Sequence, residues 1–272
     1  MPHPFVLITG CSSGIGLAAA NALGAHGFTV IASARKAEDV AQLQQQGLLA
    51  VQLDLADTAR AAEALALAGG RLFGLFNNGA YGQPGALEDL PTEALKAQFN
   101  TNLFGWHHLI RQVLPAMLAA GEGRIVQNSS VLGLVAMKYR GAYNASKFAL
   151  EGYTDTLRLE LEGSGVHISL IEPGPIDTRF RANARDAFVR HIDPAQSRHQ
   201  GAYRQTLTRL EKEGSTSGFT LPSEACIPPL LHALQSKRPR HRYPVTLPTR
   251  LFSILRRLLP SRWLDRILGK SA

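Results

Sequence analysis

The sequence contains little of what would define several other protein classes. Only two of its 272 residues are cysteine, Cys11 and Cys226, and they lie far apart. Because neither has metal-ligand spacing to another cysteine, we expect no disulfide framework, no cysteine-based metal site and a reduced, cytoplasmic setting. Charged residues make up 18% of the chain, which argues against a disordered or coiled-coil protein.

Long apolar runs are also missing. The start, MPHPFVLITG, lacks the basic residues and the long apolar run of a signal peptide. No stretch reaches the roughly 18 apolar residues that a membrane-spanning helix needs. We therefore expect neither a secretion signal nor a spanning helix. With 45% hydrophobic residues, the chain is long enough to build one large core.

The positive charge is concentrated at the C-terminal end. From Lys237 onward, ten Lys and Arg residues are opposed by one acid, Asp265, so this segment accounts for the whole net charge of +8. The basic character therefore belongs to the tail and not to the body of the protein.

Short apolar runs alternate with helical patterns along most of the chain. We predict strands at residues 5–9, 28–34, 49–55, 71–77, 124–130, 166–174 and 241–245, and helices at 14–27, 38–46, 58–68, 92–120 and 144–163. Continuous apolar strands spaced by helices are typical of a parallel sheet that is covered on both faces. The pattern predicts an α/β fold: a single doubly wound domain of Rossmann type, with a seven-stranded, mainly parallel sheet.

The predicted domain spans residues 1–246, and 247–272 form a basic amphipathic tail. Residues 177–221 are a long insertion before the last strand, and connections of this length are often substrate loops.

The first strand runs into a glycine-rich turn, TGCSSGIG. Gly10 allows the sharp turn, Gly14 allows close backbone approach, and Gly16 lets the following helix pack on the strand. Because the turn follows a strand and opens a helix, it predicts that the free N–H groups at the helix start bind a pyrophosphate.

An acidic residue is missing where the second strand ends. The sequence there reads SARK, with Arg35 and Lys36 and no acid before Glu38. An acid at this position is typical of NAD selectivity, whereas an arginine pairs with the 2′-phosphate of NADP. We therefore expect NADP(H) in preference to NAD(H); the alternative is that Arg35 is a solvated surface charge.

Tyr143 and Lys147 open the strongest predicted helix and lie on one face of it. A free phenol has a pKa of about 10, and a neighbouring ammonium favours the phenolate. A tyrosine tuned in this way can exchange a proton with a carbonyl or an alcohol. Ser130, at the end of the fifth strand, could hold the substrate oxygen beside it.

The three motifs TGxxxGIG, NSS and YxxxK together resemble the short-chain dehydrogenase/reductase family from Phe5 to about Val245. In that family a Ser–Tyr–Lys triad acts on the carbonyl or alcohol, and the lysine also binds the nicotinamide ribose. The resemblance assigns these roles to Ser130, Tyr143 and Lys147, with Ser130 preferred to Ser129. It also implies a proton-relay asparagine, which is Asn102 or, less well matched, Asn100.

The resemblance further implies that the cofactor lies along the carboxyl edge of the sheet. The expected cofactor-binding residues are Gly10, Ser12, Ser13, Gly14, Ile15, Gly16, Arg35, Asp54, Leu55, Asn77, Asn78, Gly79, Tyr143, Lys147, Pro173, Gly174, Ile176 and Thr178. One departure stands out within FNNGAYGQ: the family's usual order is N-N-A-G, and here Gly79 and Ala80 are exchanged.

The expected activity is NADP-dependent interconversion of a hydrophobic aldehyde or ketone and its alcohol. The chain looks most similar to the retinol and 17β-hydroxysteroid dehydrogenase-like members and to bacterial aldehyde reductases. An apolar pocket is expected from Ala136, Met137, Tyr139, Phe180, Phe188 and the rest of the insertion. The competing hypothesis is a catalytically idle cofactor-binding sensor or scaffold. We expect a homo-oligomer and no nucleic-acid partner. We also expect no metal site, since His107 and His108 have no acid or cysteine at ligand spacing.

The tail is expected to form two short helices separated by Pro260. Their apolar residues follow helical spacing: Leu251, Ile254, Leu255 and Leu258, then Trp263, Leu264, Ile267 and Leu268. We favour docking of this stripe on the body of the protein. The alternative is peripheral contact with an anionic membrane.

Overall fold

A computed structural model describes residues 3–57, 60–211 and 218–269. The strands are β1 Phe5–Ile8, β2 Thr29–Ala34, β3 Leu49–Gln52, β4 Leu72–Asn77, β5 Gly123–Asn128, β6 Val166–Glu172 and β7 Arg242–Pro244. The helices are α1 Gly14–Gly24, α2 Ala37–Gln45, α3 Ala61–Leu67, α4 Thr92–Phe99, α5 Gly105–Ala120, α6 Gly141–Glu160, α7 Phe180–His191, α8 Gln200–Glu211, α9 Ile227–Gln235, α10 Leu247–Leu258 and α11 Ser261–Leu268. The start of the predicted helix at 58–68, part of the insertion and the last three residues of the tail lie outside the described residues.

The strands form one sheet in the order β3-β2-β1-β4-β5-β6-β7, and every pairing is parallel. The predicted fold class, a single doubly wound α/β domain, is confirmed. The strand order reverses between β1 and β4, and ligands of such sheets bind beyond the carboxyl ends of the strands at this point.

The two faces of the sheet carry separate cores. On one face α1 and α9 bury residues such as Leu23 and Leu230 against β1 and β2. On the other face α5 and α6 bury Trp106 and Leu150. Packing on both faces explains why the strands read as continuous apolar runs instead of alternating ones.

The long helical region predicted at 92–120 is confirmed, but it is not one regular α-helix. A π-helical turn, Asn100–Phe104, separates α4 from α5. The Asn102 side chain accepts a hydrogen bond from Tyr81 N at 3.2 Å and donates one to Tyr81 O at 2.9 Å, which ties this turn to the loop after β4. Gly105 follows, and a Cβ there would lie 2.0 Å from Leu55 O. The turn thus allows the helix to pass close to the end of β3.

The insertion folds into a helical lobe, α7 and α8, with a small core of its own. Phe188 and Tyr203 pack at 5.1 Å between ring centroids, and Ile192 joins them. The Tyr203 hydroxyl accepts a hydrogen bond from Ala86 N at 2.9 Å and donates one to Asp89. The lobe is therefore anchored to the loop between β4 and α4.

The tail forms two helices on either side of Pro260, as predicted. The docking prediction is correct for only part of it: Leu268 and Thr249 are buried, but Leu251, Ile254 and Leu258 are 50%, 56% and 72% exposed. Arg256 lies over the Phe148 ring at 5.1 Å, so a charged residue contributes to the contact with the body. None of the helices in the described part of the chain is both long and apolar enough to cross a bilayer.

Candidate active site

A cavity of about 550 Å³ opens at the carboxyl edge of the sheet. We call the part lined by the glycine-rich turn between β1 and α1 the glycine end, and the part lined by residues of the α7–α8 lobe the arginine end. Of the predicted site residues, those that line it are Gly10, Ser12, Ser13, Gly14, Ile15, Asn78, Gly79, Ser130, Tyr143, Lys147, Pro173, Gly174, Ile176 and Thr178.

The glycine end is built from backbone in close contact. Gly10 has φ +72°, which favours glycine, and a Cβ on it would lie 2.5 Å from Gly79 Cα. A Cβ on Gly16 would lie 2.2 Å from Gly10 O. No residue larger than glycine fits these positions without moving the main chain. Gly16 therefore acts by packing beneath the turn and does not itself line the cavity.

The exchanged pair Gly79–Ala80 is explained by this contact. Gly79 is the residue that packs against Gly10, and its own Cβ would meet Leu55 Cδ1 at 2.9 Å. Its backbone is held on both sides: Gly79 N donates to Thr9 Oγ1 at 2.9 Å, and Trp106 Nε1 donates to Gly79 O at 2.9 Å. In this chain, the order N-N-G-A therefore puts the glycine at the crowded position. Ala80 instead packs on the core that α5 builds.

The loop after β4 and the end of β5 are joined by two asparagines. Asn78 Nδ2 donates to Thr9 O at 2.9 Å, and Asn128 Nδ2 donates to Asn78 Oδ1 at 2.8 Å. The Asn128 Oδ1 atom is buried at the cavity wall, and no atom of the described residues bonds to it. At the start of α1, no side chain of the described residues caps the N–H groups. Bare N–H groups at a helix start and an unsatisfied amide fit a dinucleotide cofactor.

Five predicted cofactor residues lie at the same edge but outside the lining of the cavity described above: Gly16, Arg35, Asp54, Leu55 and Asn77. Arg35 is exposed at the end of β2, and its carbonyl accepts a hydrogen bond from Gln52 Nε2 at 3.0 Å. Asp54 Oδ1 accepts from Ala56 N at 2.9 Å. Asn77 Nδ2 donates to Gln127 Oε1 at 2.9 Å inside the sheet.

The chemical end of the site brings three predicted residues together. Tyr143 stands in the first turn of α6, Lys147 one turn later, and Ser130 just beyond β5. Lys147 Nζ donates to Asn128 O at 2.7 Å and lies 4.4 Å from the centre of the Trp106 ring. Ser129, the rival of Ser130, donates its hydroxyl proton to Glu151 instead. The geometry thus leaves Ser130 as the hydroxyl available to Tyr143.

Burial dominates the electrostatics of these groups. It raises the pKa of Tyr143 to about 12, and the Ser130 hydroxyl and the Arg140 guanidinium oppose that rise. Burial also lowers the pKa of Lys147 to about 7, against the pull of the Glu151 carboxylate. The expectation that Lys147 lowers the Tyr143 pKa is therefore wrong for this state of the site. Arg140, and not Lys147, is the cation whose charge opposes the rise in the Tyr143 pKa.

Asn102 lies behind the triad, buried and away from the cavity lining. Besides its two bonds to Tyr81, its Nδ2 donates to Ser146 Oγ at 3.3 Å. Ser146 in turn donates to Tyr143 O at 2.8 Å. The side chain of Asn102 thus positions the first turn of α6. Asn100 is the first residue of the same π-helical turn, and its carbonyl accepts a hydrogen bond from Gly105 N.

Sequence reasoning missed a buried charge network below the lysine. Glu151 stands four residues after Lys147 on α6, and Arg242 on β7 donates to Glu151, to Glu172 at 2.7 Å and to Asp155 at 2.7 Å. Burial and the neighbouring Glu151 raise the pKa of Glu172 to about 7. The i, i+4 spacing of Lys147 and Glu151 was the available signal. Its partner Arg242 is remote in sequence, so no local pattern indicated that it would join this network.

The expected pocket residues divide into two groups. Met137 and Phe180 line the cavity, and the Phe180 ring packs edge-on against Tyr143 at 5.2 Å between centroids. The other three expected residues do not line the cavity: Ala136 is exposed, and Tyr139 and Phe188 pack in the small core of the lobe.

Sequence reasoning also missed four arginines that line the cavity: Arg140, Arg179, Arg181 and Arg209. Within the described ranges, no group of three or more His, Cys, Asp or Glu side chains could hold a metal.

Comparison with known proteins gives consistent results. The family model described as short chain dehydrogenase matches residues 4–188. An uncharacterized oxidoreductase of Escherichia coli, YbbO, is 45% identical over 97% of this chain and 93% of its own length. Human retinol dehydrogenase 8 is 40% identical over 64% of this chain and 60% of its own length. A short-chain dehydrogenase/reductase from Burkholderia phymatum, solved in complex with NAD, has a TM-score of 0.77 at 27% identity and covers 99% of this chain and 96% of its own.

Proposed function

The chain belongs to the short-chain dehydrogenase/reductase family of oxidoreductases, and from that premise we propose that it interconverts a hydrophobic aldehyde or ketone and its alcohol with NADP(H). One observation carries the proposal. Ser130, Tyr143 and Lys147, from two different elements, converge in one cavity with the glycine-rich turn. A cofactor-binding scaffold without turnover has no need of that convergence.

The proposed roles follow from the positions of these groups. The Tyr143 hydroxyl exchanges a proton with the substrate oxygen, and the Ser130 hydroxyl holds that oxygen beside it. Lys147, fixed by its bond to Asn128 O, would bind the nicotinamide ribose, and Asn102 positions the first turn of α6. The glycine turn, Asn78 and the segment 174–178 would hold the nicotinamide cofactor, which would supply the hydride.

NADP(H) is the proposed cofactor because of the charge at the end of β2. Arg35 is exposed there, and Lys36 pairs with Glu38 at 3.2 Å. A guanidinium at this position suits the dianionic 2′-phosphate. Because a structural relative was solved with NAD, the test must compare both cofactors.

We also propose that the protein is a cytoplasmic homo-oligomer. The apolar side chains on and beside α5 and α6 that are exposed support an interface there: Phe104, Leu118 and Leu159.

The substrate proposal rests on the apolar part of the lining. Phe180, Met137 and Leu132 face the cavity next to Tyr143. Binding sites of this kind hold an apolar ligand with a few polar anchors. A relative named for retinol is consistent with an apolar alcohol or carbonyl compound.

The decisive experiment is turnover of decanal with NADPH by the wild type and by Tyr143→Phe. Loss of the acid–base group should lower kcat/KM about 100- to 10,000-fold while NADPH binding is retained. Tyr153→Phe, on the same helix but paired with His107, is the matched control and should keep full activity. A wild type that binds NADPH yet oxidises none with a panel of aldehydes and ketones would favour the sensor or scaffold.

The tail supports a second proposal, peripheral contact with an anionic membrane. Leu251, Ile254 and Leu258 form an exposed apolar stripe, and Arg250, Arg256 and Arg257 lie beside it on α10. A basic amphipathic helix of this kind binds at the interface of an anionic bilayer. The test is flotation with phosphatidylserine vesicles. Ile254→Glu/Leu258→Glu should abolish it, and Val189→Glu, equally exposed on α7, should not.

A further inference from the structure

The cavity that contains the glycine turn is also lined by guanidinium groups from other segments of the chain. Arg140 is the residue before α6, Arg181 lies on α7 and Arg209 lies on α8. We call these three residues the arginine cluster. They are far apart in sequence, so their convergence is a product of the tertiary structure.

Arg209 is repelled electrostatically by both Arg140 and Arg181. Burial and, to a smaller extent, the charge of Arg209 lower the pKa of Arg140 to about 10. The pKa of Arg209 is lowered by burial and by the charge of Arg181. Positive groups are thus held within electrostatic reach of each other at the wall of a cavity, partly shielded from water.

The nearby carboxylates are paired elsewhere. Glu211, two residues after Arg209, bonds to Arg185 at 3.1 Å, and Asp177 pairs with Arg181 at 3.8 Å. Within residues 3–57, 60–211 and 218–269, no carboxylate forms an ion pair with Arg140 or Arg209. A partly desolvated cation without a counter-charge is unfavourable, and a bound anion removes that penalty. Guanidinium groups bind carboxylates and phosphates through paired hydrogen bonds.

The arginine cluster lies beside the chemistry. Arg140 precedes Tyr143 by three residues, its carbonyl accepts from Asn144 N at 2.8 Å, and its charge is felt by the Tyr143 phenol. Phe180, which packs on the Tyr143 ring, is the residue before Arg181. A ligand whose carbonyl meets Tyr143 therefore has an apolar wall and the guanidinium groups in the same cavity.

We propose that the substrate is an amphipathic carbonyl compound whose own anionic group, a carboxylate or phosphate, is bound by Arg140 and Arg209. This inference rests on the proposed oxidoreductase function. It differs from that proposal in that the substrate carries a negative charge. The cofactor phosphates are a less suitable occupant of these arginines. The bare N–H groups for a pyrophosphate belong to the start of α1, and the expected 2′-phosphate partner is Arg35 after β2. Arg140 and Arg209 come from the segment before α6 and from α8, and not from either of those segments.

The test compares ω-oxodecanoate with its methyl ester, two aldehydes of the same chain length that differ in charge. For the wild type with NADPH, kcat/KM should be about 10- to 100-fold higher for the acid, since a hydrogen bond to a charged group contributes about 1.5–3 kcal/mol. Arg209→Gln should remove that preference mainly through the KM of the acid. Arg204→Gln, an exposed arginine on the same helix, should retain it.

A binding measurement separates the outcomes. Calorimetry should show that the wild type binds decanoate more tightly than decanamide. This difference in affinity should vanish in Arg209→Gln. Inorganic phosphate should compete with decanoate for the wild type. An enzyme that reduces the ester as well as the acid, with equal binding of decanoate and decanamide, overturns the anion site and leaves the proposed function intact. Failure to reduce any aldehyde overturns the proposed function itself. A higher KM for NADPH in Arg209→Gln, with unchanged acid preference, assigns the arginine to the cofactor and also overturns the anion site.

Discussion

The two ends of the cavity are built in opposite ways. The glycine end is backbone against backbone: a single carbon added to Gly10 or Gly16 would overlap main-chain atoms, and one added to Gly79 would meet the Leu55 side chain. The arginine end is made of long side chains carried by three separate segments. The first end has room for one kind of residue only, whereas the second depends on which side chains the lobe helices bring together.

This difference follows from what each end is proposed to bind. A pyrophosphate is bound by N–H groups and needs bare backbone, so the residue types there are fixed by the space available. A substrate is bound by side chains, which can be exchanged without disturbing the sheet. We therefore expect changes at the glycine end to abolish function and changes at the lobe to alter it.

The largest effect is expected for Gly16→Ala. Its Cβ would lie 2.2 Å from Gly10 O and 2.7 Å from Asn78 Nδ2, so the turn must move. We expect loss of detectable NADPH binding and a fall of about 1–3 kcal/mol in the free energy of unfolding. Titration calorimetry and urea unfolding measure the two effects.

The matched control is Gly24→Ala in the same helix. A Cβ there meets no atom of the described residues within 4 Å. This change should leave NADPH binding intact and stabilise the protein by about 0.5–1 kcal/mol. Equal damage from both variants would show that the close contact at Gly16 does not decide function.

Arg35→Asp should have the next largest effect. Replacing the cation by an anion at the end of β2 should weaken NADPH binding about 100-fold and leave NADH binding within a few-fold of the wild type. Fluorescence titration with both cofactors measures this. Arg71→Asp, an exposed arginine before β4, is the control. An equal loss for both cofactors would remove Arg35 from the 2′-phosphate site.

The pH dependence of stability should show the burial of Lys147. Its pKa is about 7 in the folded protein, below the ordinary value of 10.5, so the unfolded chain binds more protons between these two values. The free energy of unfolding of the cofactor-free protein should therefore gain a contribution from Lys147 that rises with pH from about 7 to 10.5, by at most about 1.4 kcal/mol per pH unit.

Urea unfolding at several pH values, compared with Lys147→Met, isolates that contribution. The variant has no group to titrate at this position and should lack the rise. A variant whose stability follows the same curve as the wild type would mean that the lysine remains charged when buried.

The smallest effect is expected for Tyr203→Phe in the lobe. The change removes the acceptor of Ala86 N and a bond to Asp89, and should lower the free energy of unfolding by about 1–2 kcal/mol. NADPH binding should be unchanged, because the lobe's core does not contribute to the glycine end. Tyr139→Phe, whose hydroxyl has only a 3.4 Å contact with His199, should be close to neutral. Weakened cofactor binding in Tyr203→Phe would show that the two ends are coupled.

Much of the fold could be read from the chain because the signals are local. The apolar runs of β1 to β6 and the glycine turn each depend on a few consecutive residues. The apolar pattern of β7 is the weakest, and β7 is the shortest strand, with three residues. The interruption at Asn100–Phe104 could not be read, since it depends on Asn102 binding Tyr81, twenty-one residues away. The exposure of the tail stripe likewise depends on whether the body presents a complementary apolar surface.

The sequence by itself determined the sheet, the position of the turn and the spacing of Tyr143 and Lys147, because strand and helix periodicity and the space beside a tight turn are properties of neighbouring residues. Only the tertiary structure decided that the Ser129 hydroxyl bonds to Glu151, which cation lies near Tyr143, and that Arg140, Arg181 and Arg209 line one cavity. Burial and electrostatics depend on distances between residues far apart in the chain, and those distances exist only once the chain has folded.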